Sequence, residues 1–145
     1  MTTIIVDGPS NAGKTAFVEA LLEAIPYSKL RQHSGDEDPE CFEQALEDDN
    51  KATTLFPLIT IWLRSWVSGW ALHSLSTASA DQLDDLLFSK DGVGIILLGD
   101  EEEVEEDEQV VFEDYPDNGT GNIWIIVEHG HERKVLDAII KRVSS

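Results

Sequence analysis

Ile4-Ile5-Val6-Asp7-Gly8-Pro9-Ser10-Asn11-Ala12-Gly13-Lys14-Thr15 is the stretch on which the reading of this chain turns. Three apolar strand-formers lead into Gly8, and every fixed position of the pattern G-x-x-x-x-G-K-[ST] is met from Gly8 to Thr15. The physical demand behind the pattern is specific. Glycines let the backbone turn tightly and point successive N–H groups at phosphate oxygens, and the helix that follows adds the positive end of its dipole. Lys14 supplies a mobile charge for the outer phosphates, and the Thr15 hydroxyl suits a Mg²⁺ ligand. Gly8, Pro9, Ser10, Asn11, Ala12, Gly13, Lys14 and Thr15 are therefore the expected nucleotide-phosphate site. The alternative is a Gly-rich turn with a coincidental Lys.

Outward from this loop, apolar spacing marks alternating elements. Phe17, Val18, Leu21, Leu22 and Ile25 recur at helical spacing until Pro26. Tyr27 to Gln32 reads as a second strand and His33 to Asp38 as a polar loop on the ligand-facing end. Asp38-Pro39-Glu40 opens a helix that carries Cys41, Phe42, Ala45 and Leu46 on one face and runs out near Asp48-Asp49-Asn50. Leu58 to Leu63 is a continuous apolar run, as in an inner parallel strand. Helices are expected over Trp66 to Leu75 and Asp81 to Leu87, a strand over Val93 to Leu98, a last strand over Ile123 to Val127 and a last helix over Glu132 to Val143. The alternation predicts one α/β domain spanning residues 1–145, a three-layer sandwich around a five-stranded parallel sheet that binds ligands beyond its strand C-termini.

Charge is the outlier in the composition. Ten Lys and Arg against 29 Asp and Glu leave a formal charge of −19, which repels nucleic-acid backbones and anionic membranes. Duplex DNA and membranes are not expected partners. Asp100 to Glu108 holds eight acidic residues in nine, broken only by Val104, and turn formers Pro116-Asp117-Asn118-Gly119 follow. The expected form of residues 100–118 is a solvated acidic loop; the alternatives are a metal cluster or a docking surface for a basic protein. The single Cys41 excludes an intramolecular disulfide and is expected to be a reduced core thiol. With no signal-like start, the cytoplasm is the expected compartment, a host's cytoplasm if the gene is a phage's. Arg64 within Leu55 to Leu75 argues against a membrane span there.

A second segment carries chemistry: Trp62-Leu63-Arg64-Ser65-Trp66-Val67-Ser68-Gly69-Trp70. A cation directly after an apolar strand stands at the sheet's C-terminal edge, facing the same cleft as the phosphate loop, where it would clamp phosphate bidentately. The alternative is an Arg paired with surface carboxylates. Here the chain resembles the thymidylate kinase and deoxynucleoside kinase branch of the P-loop kinases, especially small bacteriophage members. Their third strand ends in an acid and Arg, followed by an aromatic, a Ser and a further aromatic. Arg64, Trp66, Ser68 and Trp70 match, and Val6-Asp7-Gly8 resembles the acidic entry to the loop. The resemblance implies sheet order 2-3-1-4-5, ATP and Mg²⁺ as cofactors, Lys14 and Arg64 as catalytic groups, and an acceptor held by Arg64 and Ser68. Trp66 and Trp70, four apart on one helix face, read as packing residues, the alternative being that one of them, Trp66, borders the acceptor. Two departures stand out. The acid before Arg64 is Leu63, and the Arg-bearing lid is replaced by the acidic run. Arg31 and Arg133 are the cations that would substitute. Thr15 is the expected Mg²⁺ ligand, with Asp100, in an apolar-strand-then-Asp arrangement, and Asp7 as rival second ligands. The His129/His131 pair lacks further ligands for a metal site.

Two functions follow as expectations. One is an ATP-dependent phosphotransferase acting on a small nucleotide, a deoxynucleoside monophosphate such as thymidylate, with nucleoside kinase or modified-base DNA kinase as variants. The other is a catalytically reduced kinase fold that binds nucleotide and engages a basic partner through its acidic surface. Expected partners are the nucleotide acceptor, that basic protein and a second copy of the chain.

Overall fold

The computed structural model describes residues 3–55, 58–118 and 124–144. Five strands form one parallel sheet: β1 (Thr3–Asp7), β2 (Ser28–Gln32), β3 (Ile59–Leu63), β4 (Val93–Leu97) and β5 (Trp124–Val127). Their spatial order is β2-β3-β1-β4-β5, the 2-3-1-4-5 order that the resemblance implied. Ile4 sits between Ile61 and Val93, and Val6 between Leu63 and Ile95. The strand that feeds the phosphate loop is thus the middle one, and β1 and β4 are buried along their whole length. Continuous Ile and Val runs suit strands covered on both faces.

Helices α1 (Lys14–Ala24), α2 (Pro39–Leu55), α3 (Trp66–Leu72), α4 (Thr77–Ser89), α5 (Glu106–Asp114) and α6 (Glu132–Ser144) complete the described elements, with a 3-10 turn at Tyr115–Asn118. Two apolar clusters flank the sheet. One joins Ile4, Val6, Phe17, Leu21, Ile61, Ile95 and Ile139, with Val135, Leu136, Ile140 and Val143 of α6 packed against it. The other joins Ile5, Phe42, Trp62, Trp66, Leu83, Leu87, Ile96, Phe112 and Trp124. Each fully buried Ile or Leu contributes about 1.5–3 kcal/mol, and the strands at the middle of the sheet carry several of them. Among the described residues no helix is long and apolar enough to cross a membrane; the apolar run around Arg64 is β3 and α3.

Several expectations from the sequence are corrected. Helix α2 does not stop near Asn50 but runs to Leu55. Asp49 is fully buried within it, accepting from Trp62 Nε1 at 2.7 Å, Arg31 Nη2 at 2.8 Å and Thr3 Oγ1 at 3.2 Å. A buried carboxylate with donors of its own does not terminate a helix as a solvated acidic cluster would. Cys41 is exposed rather than in the core, because Phe42 and Ala45 take the inward face. Residues 100–118 are not a loop throughout. The acidic run passes through a turn and enters α5 at Glu106, where three acids, Glu106, Asp107 and Glu108, stand in the first turn. Negative charge at a helix N-terminus is favourable, and Val104, Phe112 and Tyr115 bury on the body of the protein. The last strand is described over Trp124–Val127; Ile123 and Gly119 lie outside the described residues.

Candidate active site

The sequence from Gly8 to Thr15 forms a cradle between β1 and α1. Gly8 has φ 146, and a Cβ there would stand 2.2 Å from Leu97 O, so the turn onto β4 admits only glycine. Asn11 and Gly13 also take positive φ, 65 and 85. Gly13 is the N-cap of α1 and makes no side-chain cap bond, which leaves the first-turn N–H groups directed at the cleft. The cleft has a volume of about 880 Å³ and is lined by the loop from Ser10 to Ala16, by Gln32, His33 and Ser34 at the end of β2, by Leu63 and Arg64 at the end of β3, and by Glu103.

Lys14 is 7% exposed. Its Nζ donates to Gly8 O at 2.9 Å and Pro9 O at 2.5 Å, so the ammonium is folded back over its own loop. Burial, then the nearby Arg64 charge, lowers its pKa to about 8, against the opposing pull of Asp7 and Glu108. Two cations facing one cleft, one of them desolvated, make a site that an anion of several charges would relieve. Backbone amides at the loop add donors of the same sign, and an oligophosphate fits this donor set.

Arg64 is placed by strain and by hydrogen bonds. It takes φ 68, a left-handed conformation costly for a non-glycine residue, and its N–H donates to Val6 O at 3.0 Å. Its Nη1 donates to Ser68 Oγ at 2.9 Å, and Nη2 reaches Ser10 Oγ at 3.4 Å. The guanidinium therefore lies across the mouth of the phosphate loop. Ser68, fully buried, donates in turn to Asp7 Oδ1 at 2.6 Å.

Asp7 proves to be the hub of the site. Its carboxylate also accepts from Gly8 N at 2.8 Å, Ser65 N at 2.9 Å, Ser65 Oγ at 2.9 Å and Ser68 N at 3.1 Å. Ser65 Oγ accepts from Val67 N and caps α3. Five donors saturate the lone pairs of one carboxylate, so Asp7 ties the loop entrance to the start of α3 and has no lone pair left over for a metal. Asp100 follows β4; it accepts from Glu102 N at 3.0 Å and lies 3.8 Å from His129 Nε2. Among the described residues no group of three or more His, Cys, Asp or Glu is arranged to hold a metal ion. Thr15, exposed at the start of α1, is free of the constraint that binds Asp7.

The remaining candidates separate. Ser68 is fully buried and does not line the cleft with Lys14 and Arg64; it stands behind the guanidinium as its support rather than against an acceptor. Trp66 does not border it: fully buried, it donates from Nε1 to Asp84 Oδ1 at 2.8 Å, and its ring packs edge-on to Trp62 and Trp124 at 5.8 and 6.3 Å. Asp84 also accepts from Tyr115 OH at 2.8 Å and Trp124 Nε1 at 3.1 Å, an indole-and-phenol cage deep in the second apolar cluster. Arg31 pairs with Asp49 at 2.8 Å and is not among the residues lining the cleft. Arg133 is a surface residue 3.5 Å from Asp137 on α6. Of two further participants, His33 belongs to the loop expected at the ligand-facing end, while Glu108 is not legible in the sequence. Glu108 Oε1 accepts from Ser10 N at 2.7 Å, laying an acid from α5 on the phosphate loop, and His33 stands in the cleft wall. No short-range pattern pairs Glu108 with a loop 98 residues away.

Comparison with known proteins bears on the fold. Among solved structures the chain is similar to the crystal structure of thymidylate kinase from Ehrlichia chaffeensis, with a TM-score of 0.59, 16% identity, and 99% of this chain and 98% of that chain covered. The fold is that of a thymidylate kinase. No protein-family model matches the sequence, and no curated protein matches it. The likeness extends over nearly the full length of both chains, and the five-stranded parallel sheet of order 2-3-1-4-5 accords with it.

Proposed function

We propose that this protein transfers the γ-phosphoryl group of ATP to a small nucleotide, a deoxynucleoside monophosphate of the thymidylate type. The observation that carries the reading is the convergence of Lys14 and Arg64 on one cleft, with Arg64 braced by Ser68 and Asp7 against the loop itself. On binding, Lys14 would leave the carbonyls of Gly8 and Pro9 for the β and γ phosphates. The amides from Asn11 to Thr15 would cradle the β phosphate, and Thr15 would ligate Mg²⁺ together with phosphate oxygens. Arg64 would hold the acceptor's phosphate beside the loop. Leu63 fills the place of an acid before Arg64, and this suits an acceptor that attacks through an already anionic phosphate oxygen, which requires no base.

A second reading is favoured by one contact. Glu108 on Ser10 N puts negative charge where a kinase lid would supply positive charge, as expected of a fold that binds nucleotide while its acidic surface serves a basic partner. A steady-state assay across deoxynucleosides and their monophosphates decides between them. Acceptor-dependent formation of ADP supports the transferase. Stabilisation by Mg-ATP, about 2.7 kcal/mol at 100 times its Kd, with no transfer to any acceptor favours the second.

A further inference from the structure

The end of β2 carries a feature of the cleft that the phosphate-binding groups leave unused. The His33 N–H donates to Leu63 O at 3.0 Å, so His33 stands beside Arg64 at the C-terminal edge of the sheet. Its side chain is 10% exposed, with its ring centroid 4.4 Å from that of Trp62 and 5.0 Å from that of Phe42. Nδ1 lies 2.7 Å from Glu37 Oε2, while Glu37 Oε1 accepts from Ser34 N at 2.8 Å and Gly35 N at 3.1 Å. An ionised carboxylate only accepts, so Nδ1 carries the proton and Nε2 of the neutral ring is a lone pair. That Nε2 is buried and has no hydrogen-bond partner among the described residues. Burial, foremost, and Arg31 lower the pKa of the ring while Glu37 and Asp49 pull it up, and the ring is neutral at pH 7.

The segment that carries His33 is fastened to the Arg64 side of the cleft. Gly35 has φ 95, and a Cβ there would stand 2.6 Å from Ser68 Cβ; a Cβ on Gly69 would stand 2.8 Å from Gly35 O. Ser68 is the same residue that braces Arg64. His33, with Nδ1 held by a carboxylate, its ring packed on two aromatics and Nε2 unpaired, is therefore one of the residues that line the cleft together with Arg64.

We propose that His33 reads the acceptor: held by Glu37, its Nε2 accepts a hydrogen bond from a neutral O–H or N–H of the molecule whose anionic group lies against Arg64. A nucleotide offers two such donors, a sugar hydroxyl and a base N–H. A second phosphate or carboxylate is disfavoured there, since it would bring lone pairs against a lone pair. This inference rests on the phosphotransferase reading of the cleft and adds to it the chemistry of the acceptor.

The test is titration of the Mg-ATP-bound protein, and of its His33→Ala and His33→Gln variants, with a panel of deoxynucleosides and deoxynucleoside monophosphates. The panel includes a 3′-deoxy analogue, which lacks the sugar hydroxyl, and an N3-methyl analogue, which lacks the imide N–H. Expected are an acceptor affinity at least tenfold weaker in His33→Ala with ATP affinity unchanged, and partial recovery in His33→Gln, whose amide oxygen can accept. Wild type should reject one of the two analogues at least tenfold, identifying the donor, and His33→Ala should lose that discrimination. Acceptor binding and discrimination unchanged in His33→Ala overturn the inference while the phosphotransferase reading stands. Binding of Mg-ATP with no member of the panel bound overturns it as well. Failure to bind Mg-ATP overturns the phosphotransferase reading and the inference with it.

Discussion

Ser68 Oγ donates to Asp7 Oδ1 at 2.6 Å across 61 residues of sequence, and the same oxygen accepts from Arg64 Nη1 at 2.9 Å. The acid at the mouth of the phosphate loop and the cation at the end of β3 are thereby parts of one hydrogen-bonded unit. Asp7→Asn replaces an acceptor of five donors by a group with one acceptor oxygen and an NH₂ that faces N–H groups. Hydrogen bonds to a buried charge are worth about 1.5–3 kcal/mol, and a loss of about 3 kcal/mol in urea unfolding is expected. Nucleotide affinity should fall with it, because Gly8 and the start of α3 lose their common anchor.

Lys14 makes binding pH-dependent. Its pKa in the free protein is about 8, against 10.5 in an unfolded chain. Between those values the unfolded chain holds a proton that the folded chain has released. Burial of the charge therefore opposes folding in full below pH 8, and the opposition is relieved as pH rises from 8 toward 10.5. Phosphate binding demands the charged form. At pH 9 about one protein in eleven carries it, so affinity for Mg-ATP should be about tenfold weaker at pH 9 than at pH 7. Calorimetry in buffers of different ionisation heat should record proton uptake on binding near pH 8–9.

Glu108→Gln removes a negative charge beside the loop while keeping an acceptor for Ser10 N. Surface electrostatics of this kind are worth about 0.5–1 kcal/mol. Mg-ATP should bind about threefold more tightly at low ionic strength, and the gain should vanish in 1 M salt, where the screening length falls to about 3 Å. Fluorescence titration at the two salt concentrations measures both.

Asp84→Ala leaves the indole N–H groups of Trp66 and Trp124 and the hydroxyl of Tyr115 without their acceptor in the core. Unsatisfied buried donors cost about 1–3 kcal/mol each, and a destabilisation of at least 3 kcal/mol is expected by urea unfolding monitored through tryptophan fluorescence. A role for Trp66 at the acceptor would instead show as altered acceptor affinity at unchanged stability.

How much of this was legible in the sequence follows from the range of the interactions. The loop from Gly8 to Thr15, the strand before it and the helix after it are local, and their residues report them directly. Arg64 was placed by a strand's end, also a local signal. Trp66 follows the packing reading and not the acceptor-border alternative; its partner Asp84 is 18 residues away on another helix, and a Trp at helical spacing looks the same whether it faces a cleft or a core. The acidic run was expected to be solvated because its charges repel. Val104, Phe112 and Tyr115 bury around it, and its charges collect in the first turn of α5, where the dipole favours them. His33 and Glu37 sit four residues apart in a polar segment, and only the packing of Trp62 and Phe42 shows that the imidazole is buried.

The central claim is that Lys14 and Arg64 divide the work of one cleft, the lysine on the transferred phosphate and the arginine on the acceptor. Steady-state kinetics of phosphoryl transfer from ATP to a deoxynucleoside monophosphate, for wild type, Lys14→Ala and Arg64→Ala, test it most directly. The prediction is a kcat at least a hundredfold lower for Lys14→Ala, and for Arg64→Ala an acceptor KM at least tenfold higher with the ATP KM unchanged. Undiminished transfer by Lys14→Ala, or equal rises in both KM values for Arg64→Ala, would contradict it.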